Sequence, residues 1–328
     1  MNLKMWVILF VLVSINPTNK YLNLLVIGRK LVKIFITGAT GYIGGTVAHK
    51  LIKAGHQVTG LARDDNKANL LEKQGITPII GTLDNLELLF DTSQSSDVII
   101  NAASTHNAFA IRSILEAIRN TGKTFIHTSG SSIVSDNANG EYSENIFSES
   151  IPYSPVPEKA IWYAIERDMI LPAAKEGIRS IIICPSMIYG SGLGVRTHSI
   201  QIPLMTKTAK NTGASKYIGS GKNIWSNLHI DDCADAYLLA LEKAKAGSYF
   251  YLESGEESLV NLANAISKSL GHTESARSMD FKEAVNLWGA PMSLSLSSNS
   301  RLNADKAKTI LEWEPKHSNI LNYILREC

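Results

Sequence analysis

The sequence predicts an α/β protein built on a doubly wound parallel sheet, with a small second lobe towards the C-terminus. Two observations predict this fold class. From Val32 onwards, short apolar runs of β type alternate with longer amphipathic stretches, and the runs are apolar throughout. Continuously apolar strands are typical of a parallel sheet that helices cover on both faces. About seven such runs are visible, which favours an open sheet over a closed barrel.

The predicted elements alternate between strand and helix up to about residue 190. The predicted strands are Val32–Thr37, Gln57–Ala62, Thr77–Ile80, Asp97–Ala102, Thr124–Thr128 and Arg179–Cys184. The helix-like segments between them are Thr46–Ala54, Asn66–Gln74, Ala108–Asn120 and Lys159–Lys175. A later run, Tyr249–Leu252, could extend the sheet. We therefore assign residues 31–190 and 223–253 to the sheet domain, and residues 191–222 and 254–328 to the second lobe.

Residues 1–30 are predicted to be a separate apolar extension. The run from Met5 to Ile15 would rise only about 16 Å as a helix, whereas a bilayer core is about 30 Å thick. The run resembles a signal peptide, but no clean cleavage site follows it. An overcalled start, a signal or anchor, and a packed extra helix all stay open. Any association with a membrane is expected only through this segment.

Composition disfavours several classes of function. The 328 residues carry 32 basic and 30 acidic side chains, and no basic stripe suggests a nucleic-acid partner. The three cysteines form no CxxC pair, and the eight histidines show no HExxH spacing, so we expect neither a disulfide framework nor a metal site. This cysteine usage fits a reducing compartment, and we expect a cytoplasmic protein unless the N-terminal run anchors or exports it.

A glycine-rich turn follows the first predicted strand and opens a helix. Gly38 permits a tight turn, Gly41 lets the backbone approach a phosphate, and Gly44 lets the helix pack closely on the strand. The helix N-terminus then faces the phosphates. This context predicts a dinucleotide site that also includes Thr40, Tyr42 and Ile43.

The spacing of this turn resembles the short-chain dehydrogenase/reductase superfamily, in its extended or atypical branch, which includes proteins similar to NAD-dependent epimerases and dehydratases. Further pieces resemble it in the expected order: Asp97–Ala103, Thr128–Ser132, Pro185–Gly190, His229–Asp232 and Leu311–Pro315. The resemblance covers about residues 32–320. It implies a Rossmann-type NAD(P)-binding domain, a substrate-binding C-terminal lobe, and cofactor contacts at Asp84, Ala102, Ala103 and Pro185. Relatives often form homodimers, so a homodimer is possible.

The end of the second predicted strand favours NADP over NAD. Arg63 lies 19 residues after Gly44, where the residue that reads the adenosine ribose is expected. An acidic residue there would bind the ribose 2′-hydroxyl of NAD, whereas an arginine accommodates the 2′-phosphate of NADP. Asp64 comes one residue later and points the other way in an extended backbone. Arg63 could instead be a solvated surface charge, so NAD stays open. Asp84 either contacts the adenine, as the resemblance implies, or caps a helix that begins near Asn85.

The catalytic residues that the resemblance implies are only partly present. The superfamily uses a tyrosine acid/base with a lysine four residues later, and this region offers Tyr163 followed by Arg167. Counting back from Glu166 instead places Trp162 at the lysine position and Glu158 at the tyrosine position. We therefore name Tyr163 as the candidate acid/base, with Glu158 or an ordinary helix residue as alternatives.

Other polar residues have weaker claims to a functional role. Ser131, in the serine segment after the fifth strand, is the candidate that binds the substrate oxygen, although strand-end serines are often turn residues. Asp232 could cap the following helix and leave His229 with a structural hydrogen bond. Arg301 could grip an anionic or hydroxyl-rich substrate, or it could simply be solvated.

The function that this pattern predicts is an NADP-preferring oxidoreductase acting on a small aldehyde, ketone or sugar-like carbonyl. A nucleotide-sugar epimerase or dehydratase is the first alternative. A non-catalytic sensor or regulator that binds NAD(P) is the second, since cofactor binding needs only the glycine turn and Arg63.

Overall fold

A seven-stranded parallel sheet forms the centre of the computed structural model, which describes residues 31–150 and 153–327. The predicted extension, residues 1–30, lies outside the described residues. The strands are β1 (Lys33–Thr37), β2 (Gln57–Ala62), β3 (Thr77–Ile80), β4 (Val98–Asn101), β5 (Thr124–Thr128), β6 (Ile146–Phe147), β7 (Arg179–Pro185), β8 (Met187–Tyr189), β9 (Lys216–Ile218), β10 (Ile224–His229), β11 (Ser248–Leu252), β12 (Gly255–Ser258), β13 (Arg277–Met279) and β14 (Arg301–Leu302). The predicted strands correspond to β1, β2, β3, β4, β5, β7 and β11, so the fold class is confirmed.

The helices flank this sheet and build the second lobe. They are α1 (Tyr42–Lys53), α2 (Asp65–Glu72), α3 (Leu86–Gln94), α4 (Ala108–Ala117), α5 (Ala160–Ile165), α6 (Gln201–Thr212), α7 (Ile230–Lys243), α8 (Leu259–Ser269), α9 (Phe281–Trp288), α10 (Ala290–Ser297), α11 (Asp305–Leu311) and α12 (Ile320–Glu327). Among residues 31–150 and 153–327, no helix has the length and apolar character that crossing a bilayer requires.

The strand order is β11-β7-β5-β4-β1-β2-β3, and the pairs are parallel. The chain builds the sheet outwards from β1 to β3 and then from β4 to β11, so the order reverses between β1 and β4. In an open α/β sheet, ligands bind at the carboxyl ends of the strands beside such a reversal. The topology therefore places a binding crevice after Thr37 and Asn101.

Apolar side chains cover both faces of the sheet. One core joins β1 to α1, α7 and α11 through residues such as Val47, Leu51 and Tyr237, and the other joins β1 to α3 and α4 through Phe35 and Leu89. Burial on both faces is what the continuously apolar strands predict. These two layers fix the helices that position the crevice.

A further core lies in the region predicted to be the second lobe. Helices α6, α8, α9 and α12 meet there around Met205, Ile266, Trp288 and Ile324. Residues 304–313 were assigned to this lobe from the sequence, but Ala304, Ala307, Leu311 and Trp313 pack into the core of the central sheet. Residues 32–328 form one compact unit, and the proposed lobe boundaries stay a prediction.

The predicted helix Lys159–Lys175 is interrupted. Only α5 is α-helical; a π-helical turn follows at Glu166–Ile170 and a 3₁₀ turn at Pro172–Glu176. Pro172 has no N–H with which to continue an α-helical ladder. Single π-helical turns are frequent at functional sites.

The predicted cap role of Asp232 is wrong. Helix α7 begins at Ile230, and the His229 imidazole caps it by accepting a hydrogen bond from Asp231 N at 3.2 Å. Asp232 lies inside the first turn and is 1% exposed. Its carboxylate accepts hydrogen bonds from Lys316 N at 3.0 Å and His317 N at 2.8 Å. Asp232 therefore fastens the segment after Trp313 to α7.

We predict that Asp232→Ala lowers the free energy of unfolding by about 3 kcal/mol, because the change leaves two backbone N–H groups without their charged acceptor. The midpoint and slope of urea unfolding measure this. Asp235→Ala, three residues along the same helix, is the matched control. It removes a half-exposed ion pair with Lys50 and should cost less than about 1 kcal/mol. Equal losses in the two variants would contradict the structural role of Asp232.

Candidate functional site

A cavity of about 640 Å³ lies at the carboxyl ends of the central strands, beside the reversal between β1 and β4. We call it the switch-point cavity. The sequence-predicted cofactor residues that line it are Gly38, Thr40, Gly41, Tyr42, Ile43, Arg63, Ala102, Ala103 and Pro185. Ser131 lines it as well, whereas Gly44 lies behind the turn and Asp84, Tyr163 and Glu158 are not among the lining residues.

The glycine turn forms one wall of the switch-point cavity. Gly38 has φ +82°, and a Cβ added there would lie 2.6 Å from the Ala102 carbonyl carbon. A Cβ added at Gly44 would collide with the Gly38 carbonyl oxygen. Gly41 is the N-cap of α1 and provides no side-chain acceptor, so the first-turn amides face the cavity without a cap from that residue. This cradle fits a diphosphate, which binds at a helix N-terminus through backbone N–H groups.

A buried hydrogen-bond network holds the strand ends below the turn. Thr37 Oγ1 donates to Asn101 Oδ1 at 2.7 Å, and Asn101 Nδ2 donates to the Ser104 carbonyl at 2.8 Å. Asn101 Nδ2 also lies 3.1 Å from His127 Nδ1. Burial lowers the pKa of His127 to about 3, so the ring is neutral at physiological pH. His127 is therefore part of the scaffold under the site.

Two cations line the far end of the cavity, after β2. Arg63 lies at the end of that strand, and Lys67 lies in the first turn of α2. Asp64 is the N-cap of α2, and its Oδ1 accepts from Lys67 N at 2.8 Å. The Asp64 carboxylate is thus engaged by its own helix. Asp84 does not cap α3, because Asn85 holds that position.

The charge of the cavity has one sign. Its charged lining residues are Arg63, Lys67 and Arg196, and the lining set includes no aspartate or glutamate. Within residues 31–150 and 153–327, none of these three cations forms an ion pair. Unpaired cations around an open cavity, without carboxylates, provide a site for a ligand with several negative charges.

Ser129, Ser131 and Ser132 follow β5 and line the middle of the cavity. Ser131 begins a 3₁₀ turn, and its carbonyl accepts from Ser300 Oγ at 3.1 Å. Trp225 and Ser295 line the same cavity from later parts of the chain. The serine segment is therefore in place for a small ligand between the sheet and the second lobe.

Tyr163 lies away from this cavity. Its ring packs edge-on against Tyr153 at 5.1 Å between centroids, and the Arg167 guanidinium lies 5.2 Å from its ring centre. Trp162 stacks on His106 at 5.8 Å and comes close to Gly130, which lines the cavity. The helix thus presents Trp162 towards the serine segment, and the alternative register stays a prediction.

Glu166 is a buried carboxyl behind the serine segment. It is 2% exposed, and neither of its oxygens has a hydrogen-bond partner among the described residues. Burial raises the pKa of Glu166 to about 7, and the nearby hydroxyls of Ser129 and Tyr249 offset part of that rise. At neutral pH this carboxyl is therefore close to half protonated.

Two other sequence candidates are engaged elsewhere. Arg301 pairs with Glu256 through two hydrogen bonds of 2.9 and 2.8 Å and is not among the residues that line the switch-point cavity, so its contact with substrate stays a prediction. His229, Asp231 and His317 bring one potential metal-ligand atom each within 4.8 Å of one another. Both Nδ1 atoms already have hydrogen-bond contacts, however. Nδ1 of His229 accepts from Asp231 N, and Nδ1 of His317 lies 3.1 Å from Asp232 Oδ2.

The family model that matches the chain is the NAD dependent epimerase/dehydratase family, over residues 34–251. The chain belongs to this family. The resemblance to the superfamily that its motifs predict is thereby confirmed.

Two relatives and one solved structure are similar to this chain over most of its length. An uncharacterized protein of Schizosaccharomyces pombe is 32% identical over 302 residues, which cover 88% of this chain and 97% of that protein. Oxidase ucsJ of an Acremonium species is 28% identical over 324 residues, covering 86% and 92%. The dTDP-glucose 4,6-dehydratase of Bacillus anthracis, solved in complex with NAD, superimposes with a TM-score of 0.70 at 19% identity, covering 89% and 95%. At that identity the likeness shows a shared fold.

Sequence reasoning missed several lining residues of this family member. Lys67 could have been found, because it lies four residues after Arg63, in the first turn of α2. Arg196, His198 and Trp225 lie far from the glycine turn in sequence, and only the folded chain brings them to the cavity. No local pattern marks them.

We predict that Glu166→Gln changes how stability depends on pH. The folded-state pKa of about 7 lies above the ordinary value of 4.5, so the stability contributed by protonated Glu166 is present below pH 4.5 and is lost as pH rises through 7. The variant should therefore gain roughly 3 kcal/mol relative to wild type between pH 4.5 and 8. Urea unfolding across this range measures the difference, with the exposed Glu158→Gln as control. A difference that stays constant with pH would refute the buried state of this carboxyl.

Proposed function

We propose that this chain is a nicotinamide-dependent oxidoreductase that prefers NADP and reduces a small aldehyde, ketone or sugar-like carbonyl. The observation that carries the proposal is the switch-point cavity. It combines a glycine cradle, an uncapped helix N-terminus and unpaired cations with no carboxylate in its lining. Membership of the NAD dependent epimerase/dehydratase family and the NAD bound to the B. anthracis dehydratase support the choice of cofactor class.

The preference for NADP follows from the adenosine end. Arg63 and Lys67 lie four residues apart and both line the cavity, and Asp64 accepts a hydrogen bond from Lys67 N as the cap of α2. A 2′-phosphate would gain two cationic partners there, whereas the 2′-hydroxyl of NAD would find no carboxylate acceptor. We also propose that Asp84 contacts the adenine, because its neighbours Thr82 and Leu83 line the cavity.

The reaction would take place beside the serine segment. A nicotinamide bound at the ends of β4, β5 and β7 supplies a hydride to the carbonyl carbon of the substrate. Ser131 would donate a hydrogen bond to the carbonyl oxygen, and Trp225 in β10 and Ser295 in α10 would close the site. Tyr163 would protonate the resulting alkoxide oxygen only after a rotation of the α5 segment, because its ring packs on Tyr153. Without that rotation, solvent water would supply the proton.

A second candidate function is a non-catalytic NADP-binding regulator. The position of Tyr163 outside the cavity and of Trp162 beside Gly130 favours it, because the acid/base pair is then missing while the cofactor wall is complete. An epimerase or dehydratase activity would need the same missing pair. The cytoplasmic location and a homodimer are further expectations.

We predict that Arg63→Glu weakens binding of NADPH by about 100-fold and binding of NADH by less than about threefold, because a carboxylate would repel the 2′-phosphate. Lys67→Ala should show the same selectivity with a smaller loss. Titration calorimetry with both cofactors measures this. Lys73→Ala, which removes an exposed cation at the other end of α2, is the control. Equal losses for the two cofactors would remove Arg63 from the phosphate site.

We also predict that Ser131→Ala lowers kcat for carbonyl reduction by about 100-fold without changing the dissociation constant of NADPH. Tyr163→Phe should keep most of the wild-type turnover. Oxidation of NADPH with a panel of aldehydes and ketones measures both. A loss in Tyr163→Phe as large as that in Ser131→Ala would show that α5 rotates in the working enzyme. Tight NADPH binding without turnover on any carbonyl would favour the regulator.

A further inference from the structure

The loop between β8 and α6 lies directly over the N-terminus of α1. Tyr42 Oη donates to the Gly190 carbonyl at 2.7 Å, and Leu193 N donates to Thr46 Oγ1 at 3.1 Å. Gly194 lies so close to Gly45 that a Cβ on Gly45 would approach the Gly194 Cα to 3.1 Å. Both hydrogen bonds are made with residues of α1, immediately after the glycine turn. The loop is therefore held in place by the helix whose N-terminus faces the cavity.

Residues 191–198 of this loop, which we call the 191–198 loop, also turn back on themselves. Gly192 N donates to the Thr197 carbonyl at 2.8 Å, and a Cβ on Gly192 would lie 2.9 Å from the Tyr42 ring and 3.0 Å from the Arg196 carbonyl. The close approach to Tyr42 requires glycine at this position. The backbone of Arg196 is thereby held next to the residue that begins α1.

Arg196 and His198 both line the switch-point cavity. Arg196 Nε donates to the His198 carbonyl at 3.2 Å, which leaves the terminal nitrogens of the guanidinium without a carboxylate partner in the described part of the chain. Arg196 comes from the loop between β8 and α6, whereas Arg63 and Lys67 come from the β2–α2 junction. Its charge therefore requires an explanation separate from the 2′-phosphate.

The charge of a diphosphate supplies that explanation. A dinucleotide diphosphate carries about two negative charges, whereas a helix N-terminus offers only about half a positive charge. The Gly41 N-cap adds no side-chain donor, and the Gly38–Gly44 turn contains no charged side chain, its polar side chains being the hydroxyls of Thr40 and Tyr42. A cation on the solvent side of the diphosphate would compensate the remaining charge.

We propose that the 191–198 loop is a second wall of the diphosphate site, in which Arg196 binds the diphosphate from the side opposite to α1 and His198 supports it. This inference rests on the proposed function, since it takes the ligand to be a nicotinamide dinucleotide. It assigns Arg196 to the part of the cofactor that NAD and NADP share. Arg196 therefore sets affinity, whereas Arg63 and Lys67 set the choice between the two cofactors.

Two fragments of the cofactor separate these roles without any turnover. ADP-ribose contains the diphosphate and lacks the 2′-phosphate; adenosine 2′-monophosphate contains the 2′-phosphate and lacks the diphosphate. Arg196→Ala should weaken ADP-ribose binding by about tenfold, the effect of losing one charge-assisted hydrogen bond, and leave adenosine 2′-monophosphate within about twofold. Arg63→Ala should give the reverse pattern.

Titration calorimetry of both fragments against the full-length chain measures these affinities. Lys207→Ala removes an exposed cation from α6, outside the cavity lining, and controls for net charge. Arg196→Lys should recover part of the ADP-ribose affinity, since it restores the charge without the planar fork. Thermal unfolding of each variant confirms that the fold is intact, which we expect because Arg196 is exposed.

An unchanged ADP-ribose affinity in Arg196→Ala, with wild type binding the fragment, would overturn this proposal and leave the proposed function standing. An equal loss of both fragments would also overturn it, because Arg196 would then act through general charge. If wild type binds neither fragment nor NADPH, the proposed function falls and this inference falls with it.

Discussion

The close approach of three backbone segments at Gly38, Gly44 and Ala102 is the constraint on which the rest of the site depends. No Cβ fits at Gly38 or Gly44, because the neighbouring atoms are backbone and cannot move aside. Their contact locks the N-terminus of α1 against the ends of β1 and β4. The direction of the helix amides, the position of the crevice and the seat of the 191–198 loop all follow from this contact.

The cavity around this contact is assembled from separate parts of the chain that share one sign of charge. Arg63 and Lys67 come from the β2–α2 junction, and Arg196 comes from the loop after β8. Asp64, next to Arg63, caps its own helix and is not among the lining residues. In a partly enclosed site, charges of one sign reinforce one another and raise the local concentration of an anionic ligand.

Local patterns in the sequence predict the central sheet and the cofactor wall, because each depends on residues close together in the chain. The apolar runs mark strands buried on both faces, and the glycine spacing marks the turn that follows β1. What these local patterns do not reveal are contacts between residues far apart in the chain. The partner of Asp232 lies more than eighty residues away, at His317, and the partner of Arg301 is Glu256. The sequence signals only the second part of the break in the predicted helix: Pro172 accounts for the 3₁₀ turn, whereas no residue pattern predicts the π-helical turn that follows Ile165.

Cofactor binding and catalysis depend on different kinds of precision in this fold, and the structure separates them. Binding uses backbone amides and cations spread over several strand ends, so it tolerates changes in the α5 segment. Proton transfer needs one side chain within hydrogen-bond distance of the carbonyl oxygen. Trp162 lies near Gly130 where the superfamily's lysine is expected, and the π-helical turn carries Glu166 behind Ser129. On the proposed function, such a chain would bind a dinucleotide whether or not it keeps the chemistry, which is why fragment binding is the measurement that interprets every later activity assay.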